Sequence, residues 1–275
     1  MLGGTFFFDS GLAADQPIIV LVHGNGDEAD TWRHVFRSLA VSFRVLALDL
    51  PGFGRSLPPE NGDLGSLTAA LSRLVDDLKL AKVHLVGSSM GAVICAIFAS
   101  QNPNRVSSLT LVGGASLDSS TTETNPGIKS LLELGVGESY YNGLRSLGQD
   151  AAFGTLEPYY ANLQAMPTSD LEFLRERVWA RVWSDTQRDA FLAALRSLFD
   201  PHQKITVRFE KLPLSLIWGE HDHIVPIQAA LEMQKTYPQA KLELIEGAGH
   251  LPHQEQPIDF LKILKSFLSK LEAQL

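Results

Sequence analysis

Short apolar runs and longer stretches of helical period take turns through the first 115 residues. Residues 5–8, 18–22, 44–48, 82–86 and 108–112 are β-rich runs, each closed within two residues by Gly or Asp, and they predict strands. Between them, Trp32, Val35, Phe36 and Leu39 mark one helix. Leu64, Leu67, Leu71, Leu74 and Leu78 mark a second, at alternating steps of three and four. Residues 90–100 are apolar or small nearly all round, so that helix is expected to be deeply buried. Near-continuous apolar strands with helices between them predict an α/β fold, a mostly parallel sheet with helices on both faces.

The rhythm then breaks. Residues 116–127 read as a polar linker containing Gly and Pro, and no strand followed by a helix is evident from 117 to 212. Two capping boxes predict helices there: Ser169 with Glu172 ahead of Leu171, Leu174, Val178 and Val182, and Ser184 with Gln187 ahead of Phe191, Leu195 and Leu198. The α/β alternation returns with strands at 214–218 and 241–245, a helix opened by Pro226, and a final one opened by Pro257 with Phe260, Leu264, Phe267 and Leu271 inward. The expected organisation is a sheet core from 1–116 and 213–275, interrupted by a helical insertion over 117–212.

Composition narrows the function classes. The 275 residues carry 23 Lys and Arg against 31 Asp and Glu, a net charge of −8. With no basic cluster, neither nucleic acid nor an anionic membrane is an expected partner. One cysteine, Cys95, leaves no intrachain disulfide and no Cys-based cluster. The opening residues lack a positive n-region, and no run approaches the roughly 18 apolar residues a membrane helix needs. The chain reads as soluble and cytoplasmic.

The sharpest chemical signal is Gly87-Ser88-Ser89-Met90-Gly91, placed after an apolar strand and before a buried helix. There a G-x-S-x-G sequence becomes a turn tight enough to push the serine hydroxyl clear of the backbone. Side chains two residues either side would clash, hence the glycines. The following helix aims its first amides at the same spot. A serine hydroxyl needs a base, and the base needs orienting. Asp222, in Trp218-Gly219-Glu220-His221-Asp222, and His250, in Gly247-Ala248-Gly249-His250, each follow a predicted strand and so reach the same sheet edge. Their chain order, Ser89, Asp222, His250, is that of α/β-hydrolase triads.

With His23-Gly24-Asn25-Gly26, the run from Asp49 to Ser56, and Glu255 and Pro257 behind His250, these motifs resemble the α/β-hydrolase fold superfamily, and the insertion resembles its cap. One departure concerns the sheet's edge: the family usually begins with two antiparallel strands, whereas only residues 5–8 precede the His23 strand. The resemblance implies Ser89 as nucleophile, His250 as general base and acid, and Asp222 as the group orienting it. It also implies an oxyanion hole made by the backbone amides of Asn25 and Met90, with no cofactor and no metal. Asp118, after the strand at 108–112, is the alternative acid.

Trp179, Trp183 and Leu251 are the expected substrate contacts, and Arg175, Arg177 or Arg181 is a candidate partner for an anionic group. His223 and His253 are expected at the pocket rim or surface, and His23 beneath the oxyanion loop. Gly52-x-Gly54 reads as a turn, not a dinucleotide cradle, and Cys95 as core. The expected reaction is ester cleavage of a small to medium apolar substrate. Hydrolysis of a carbon–carbon bond in a ring-cleavage diketone is the alternative, although Leu251 stands where relatives of that kind carry tryptophan. A non-turnover small-molecule receptor and a cofactor-free dioxygenase stay open. The oligomeric state is not assigned.

Overall fold

A computed structural model describes residues 1–11, 16–114, 130–133, 135–200, 202, 207–209 and 211–273. Among them seven strands form one sheet in the order β1-β3-β2-β4-β5-β6-β7. They are β1 (Phe7–Asp9), β2 (Ile18–Val22), β3 (Arg44–Leu48), β4 (Val83–Ser88), β5 (Val106–Val112), β6 (Leu214–Gly219) and β7 (Lys241–Ile245). Only β1 runs antiparallel, against β3; every other pairing is parallel. The two-residue alternation of a strand sorts the apolar side chains onto two faces. Val20, Val22, Leu46, Leu85, Leu109 and Leu216 pack against α2 (Leu64–Asp77) and α3 (Met90–Gln101). Ile19, Leu21, Val45, Val86 and Ile217 pack on the other side with Trp32, with α1 (Arg33–Leu39) and with the last long helix.

Among the described residues, the segment between β5 and β6 includes the helices α4 (Val136–Leu147), α5 (Gln149–Gly154), α6 (Thr168–Trp183) and α7 (Asp185–Leu198). They carry an apolar cluster of their own, built on Leu144, Phe153, Tyr160, Leu163, Leu174 and Val178. The chain closes with α8 (Ile227–Thr236), a single turn α9 (Pro252–Glu255) and α10 (Pro257–Glu272). Among the described residues no helix is long and apolar enough to cross a membrane.

Several boundaries move for identifiable reasons. The first strand lies at Phe7–Asp9 because Thr5 closes its own two-way bridge with Leu2. Asp9 then pairs with Arg44 of β3. β4 runs on to Ser88 because Gly87 and Ser88 pair with Leu111 and Val112. The capping box expected at Ser169 is not used: α6 starts two residues earlier, behind Pro167, whose carbonyl takes the Asp170 amide. At Ser184 the side chain does accept from the Gln187 amide, at 3.2 Å.

Candidate active site

β4 delivers Ser89 into a turn of φ +52°, ψ −119°, a backbone conformation that costs a non-glycine residue about 1–3 kcal/mol. The surroundings impose it. A Cβ at Gly87 would lie 2.4 Å from the Gly91 carbonyl oxygen, and one at Gly91 would lie 2.3 Å from that of Val22. The Ser89 amide donates to Val112 on the neighbouring strand at 2.9 Å, while its carbonyl accepts from Ala92 inside α3. The hydroxyl is thereby left at the mouth of α3, where Met90 carries one of the four amides with no partner inside the helix.

The loop after β6 brings Asp222, and the loop after β7 brings His250. Asp222 Oδ1 accepts from the amides of Ile224 and Val225, both at 2.9 Å, and Oδ2 lies 2.8 Å from His250 Nδ1. A carboxylate held this way is an acceptor, so Nδ1 carries a proton; in the neutral ring that leaves the lone pair on Nε2. Both side chains are buried, and Nε2 has no hydrogen-bond partner among the described residues. Gly113 makes the room: a Cβ there would lie 3.1 Å from His250 Nδ1 and 3.3 Å from Asp222 Oδ2. Sequence reasoning passed over this glycine, although it directly follows β5 beside a second glycine.

Asn25 lies in the loop after β2. His23 beneath it is buried; Nδ1 donates to the Gly24 carbonyl at 2.7 Å and Nε2 accepts from the Leu50 amide at 2.9 Å. Burial lowers its pKa, which keeps the ring neutral and this tautomer in place. Gly24 is held against Ser89, with room for a Cβ only 3.1 Å from Ser89 Cβ. Asp49, with no exposed surface, accepts from Ala29 and Arg55 and holds the same loop from behind. At Gly54, whose φ is +53°, a Cβ would meet that carboxylate at 2.4 Å, so Gly52-x-Gly54 is a turn around an aspartate.

Ser89, Asn25, His250 and Leu251 line one cavity of about 440 Å³, roofed by the helices between β5 and β6. The lining includes Tyr140, Tyr141, Tyr159 and Tyr160, four of the five tyrosines in the chain. Burial holds their hydroxyls protonated, that of Tyr159 with a pKa pushed up to about 12. Sequence reasoning missed these tyrosines, and their crowding into the insertion was the available signal. Trp179 and Trp183 are a correction. Neither lines the cavity: they stack edge to face at 5.7 Å, Trp179 half-buried and Trp183 58% exposed. The inward stripe of α6 is Leu174, Val178, Arg181 and Val182, and the tryptophans occupy the adjoining stripe.

The three arginines of α6 separate. Arg175 pairs with Asp150, Arg177 with the buried Glu28, and Arg181 reaches the cavity while donating to the Gly26 carbonyl. His253 is also corrected: it is fully buried, stacked on Trp32 at 4.3 Å, and its Nε2 meets the Thr31 hydroxyl. His221 and His223 are exposed, and among the described residues no three His, Cys, Asp or Glu side chains converge as metal ligands do. Cys95 is core, its thiol pKa raised by burial. Asp118 and the linker at 116–127 lie outside the described residues.

A family model for the alpha/beta hydrolase fold matches residues 17–257. A 2-hydroxy-6-oxononadienedioate/2-hydroxy-6-oxononatrienedioate hydrolase of Pseudomonas putida is 30% identical over 270 residues, which cover 91% of this chain and 87% of that protein. The pimeloyl-(acyl-carrier protein) methyl ester esterase of Aeromonas hydrophila is 28% identical over 257 residues, 92% of this chain and 95% of its own. In structure, a 2-hydroxy-6-oxo-6-phenylhexa-2,4-dienoate hydrolase from a Rhodococcus strain superposes with a TM-score of 0.79 at 21% identity, covering 96% of this chain and 99% of that one.

Proposed function

The chain belongs to the alpha/beta hydrolase fold family, and from that premise we propose that it cleaves a carboxylic ester of a small to medium, largely apolar substrate through an acyl-enzyme on Ser89. One observation carries the reading. His250 is held by Asp222 through Nδ1, and its buried, unpartnered Nε2 belongs to the same cavity wall as the strained Ser89. As Ser89 Oγ bonds to the ester carbonyl carbon, its proton passes to His250 Nε2, and Asp222 stabilises the imidazolium. The amides of Met90 and Asn25 receive the developing oxyanion, already fixed before the reaction. Collapse breaks the carbon–oxygen bond, and the imidazolium gives its proton to the departing alkoxide. Water then attacks the acyl carbon, giving a proton to Nε2, and Ser89 Oγ leaves with that proton restored. The helical segment within 117–212 acts as the cap that shapes this cavity and excludes bulk water.

Carbon–carbon hydrolysis of a ring-cleavage diketone is the second reading. It is favoured by the Pseudomonas relative, by name a dienedioate hydrolase. Arg181 also supports it, since its Nε is buried at the cavity with no partner among the described residues, where a carboxylate could meet it. A panel of short acyl nitrophenyl esters and a ring-cleavage diketone, run on the wild type and Ser89→Ala, separates them. The expected result is many turnovers on esters that vanish in Ser89→Ala while the fold is kept. Turnover of the diketone alone transfers the assignment, and ester turnover retained by Ser89→Ala removes it.

A further inference from the structure

The turn bearing His250 does not stand on the sheet alone. The segment from Tyr159 to Asn162, between α5 and α6, lies directly against it: a Cβ on Gly249 would sit 2.6 Å from the Ala161 nitrogen and 2.7 Å from the Tyr160 carbonyl carbon. The His250 amide donates to the Tyr159 carbonyl at 2.9 Å. Across the same seam stands Glu255, at the end of α9. Its Oε1 accepts from the Ala161 amide at 2.7 Å and its Oε2 from the Gly249 amide at 2.6 Å, and the Asn162 amide also bonds to it. The neighbouring Gln254 strengthens the join, accepting from the Tyr160 hydroxyl at 3.0 Å and donating to Thr31 Oγ1 at 2.6 Å.

We propose that Glu255 is a positioning residue, whose carboxylate binds the His250 turn to the Tyr159–Asn162 segment and so sets the imidazole in place in the cavity that Ser89 also lines. It does not line the cavity, so it acts through His250 and not on substrate. The chemistry selects a carboxylate: two oxygens on one carbon can take amides from both sides of the seam, and the charge strengthens each bond. A glutamine at this position has one acceptor oxygen and would turn an N–H toward an amide N–H on the other side. Burial and the nearby Asp222 charge raise its pKa, while the amides of Gly249, Ala161 and Asn162 act the other way by bonding to the charged form.

This inference rests on the reading of Ser89 and His250 as nucleophile and base, and the experiment separates the two. Wild type, Ser89→Ala, Glu255→Gln and Glu255→Asp are compared for kcat and KM on a short acyl nitrophenyl ester, with rates normalised to folded protein by circular dichroism. Absence of wild-type turnover, or its survival in Ser89→Ala, is failure of the parent reading. With that reading intact, Glu255→Gln is expected to lower kcat about 10–10²-fold with KM changed by less than about threefold, the signature of a displaced catalytic group. Glu255→Asp, which keeps the charge but draws it back by one methylene, is expected to fall between. Wild-type kcat in Glu255→Gln, a change confined to KM, or a loss that disappears on normalisation overturns the proposal. Failure of both variants to fold does the same, since Glu255 would then be a folding determinant only.

Discussion

His253 shows how much a single buried ring can say about conditions as well as position. It lies beside the candidate active site without entering it, stacked on Trp32 and near Phe260, with Thr31 at Nε2 and, among the described residues, no partner at Nδ1. Burial lowers its pKa to about 3; the nearby charges of Asp27, Arg33, His34 and His250 modify that value. The unfolded chain therefore binds a proton near pH 6.5 that the folded chain refuses until about pH 3. Stability contributed here is complete above pH 6.5 and is lost as the pH falls toward 3. Urea unfolding across that window should show a wild-type slope steeper than that of His253→Asn by up to about 1.4 kcal/mol per pH unit. Equal slopes would mean that the ring protonates freely in the fold. Ser89, Asp222 and His250 could be picked out as candidates because each sits in a short local signature, glycine-flanked or just beyond an apolar strand. Gly113 was not, because its role is to leave room for two residues that lie over a hundred positions away in sequence.

At the scale of elements, strands came through where an apolar run and a pairing partner end together, as at Ile18–Val22, Arg44–Leu48 and Lys241–Ile245. Cap chemistry was less dependable because two start signals can compete. Pro167 begins α6 ahead of Ser169, whereas at Ser184 nothing competes and the side chain caps α7. Ser184→Ala should accordingly cost about 0.5–2 kcal/mol in thermal or urea unfolding, and Ser169→Ala almost nothing. Equal costs would show that the serine at 184 does not act as a cap. Which stripe of α6 faces the cavity was beyond reach, since Trp179 and Val178 are neighbours in sequence but about 100° apart around the helix axis. Size favoured the tryptophans; packing chose Leu174, Val178 and Val182.

Across the whole molecule, α6 lies over the loop that presents Asn25. Asp170 accepts from Arg33 and meets His34, Arg177 pairs with Glu28, and Arg181 donates to the Gly26 carbonyl. From α7, the Phe191 carbonyl accepts from Asn25 Nδ2 at 3.1 Å. Helical insertion and Asn25 loop are thus joined by polar contacts that hydrophobic periodicity alone does not reveal. Glu28 is 2% exposed, so removing Arg177 strands a buried carboxylate. Arg177→Met should lower the melting temperature more than the double change Glu28→Gln with Arg177→Met, because the double change removes the stranded charge. A double variant no more stable than the single one would deny that pairing its importance. The central claim, an ester carbonyl carbon bonded to Ser89, is tested most directly by acid-quenching the protein within its first turnover of a short acyl nitrophenyl ester and weighing its peptides. The peptide holding Ser89 should carry the acyl mass in the wild type and be unmodified in Ser89→Ala; steady turnover with that peptide unmodified would contradict the account.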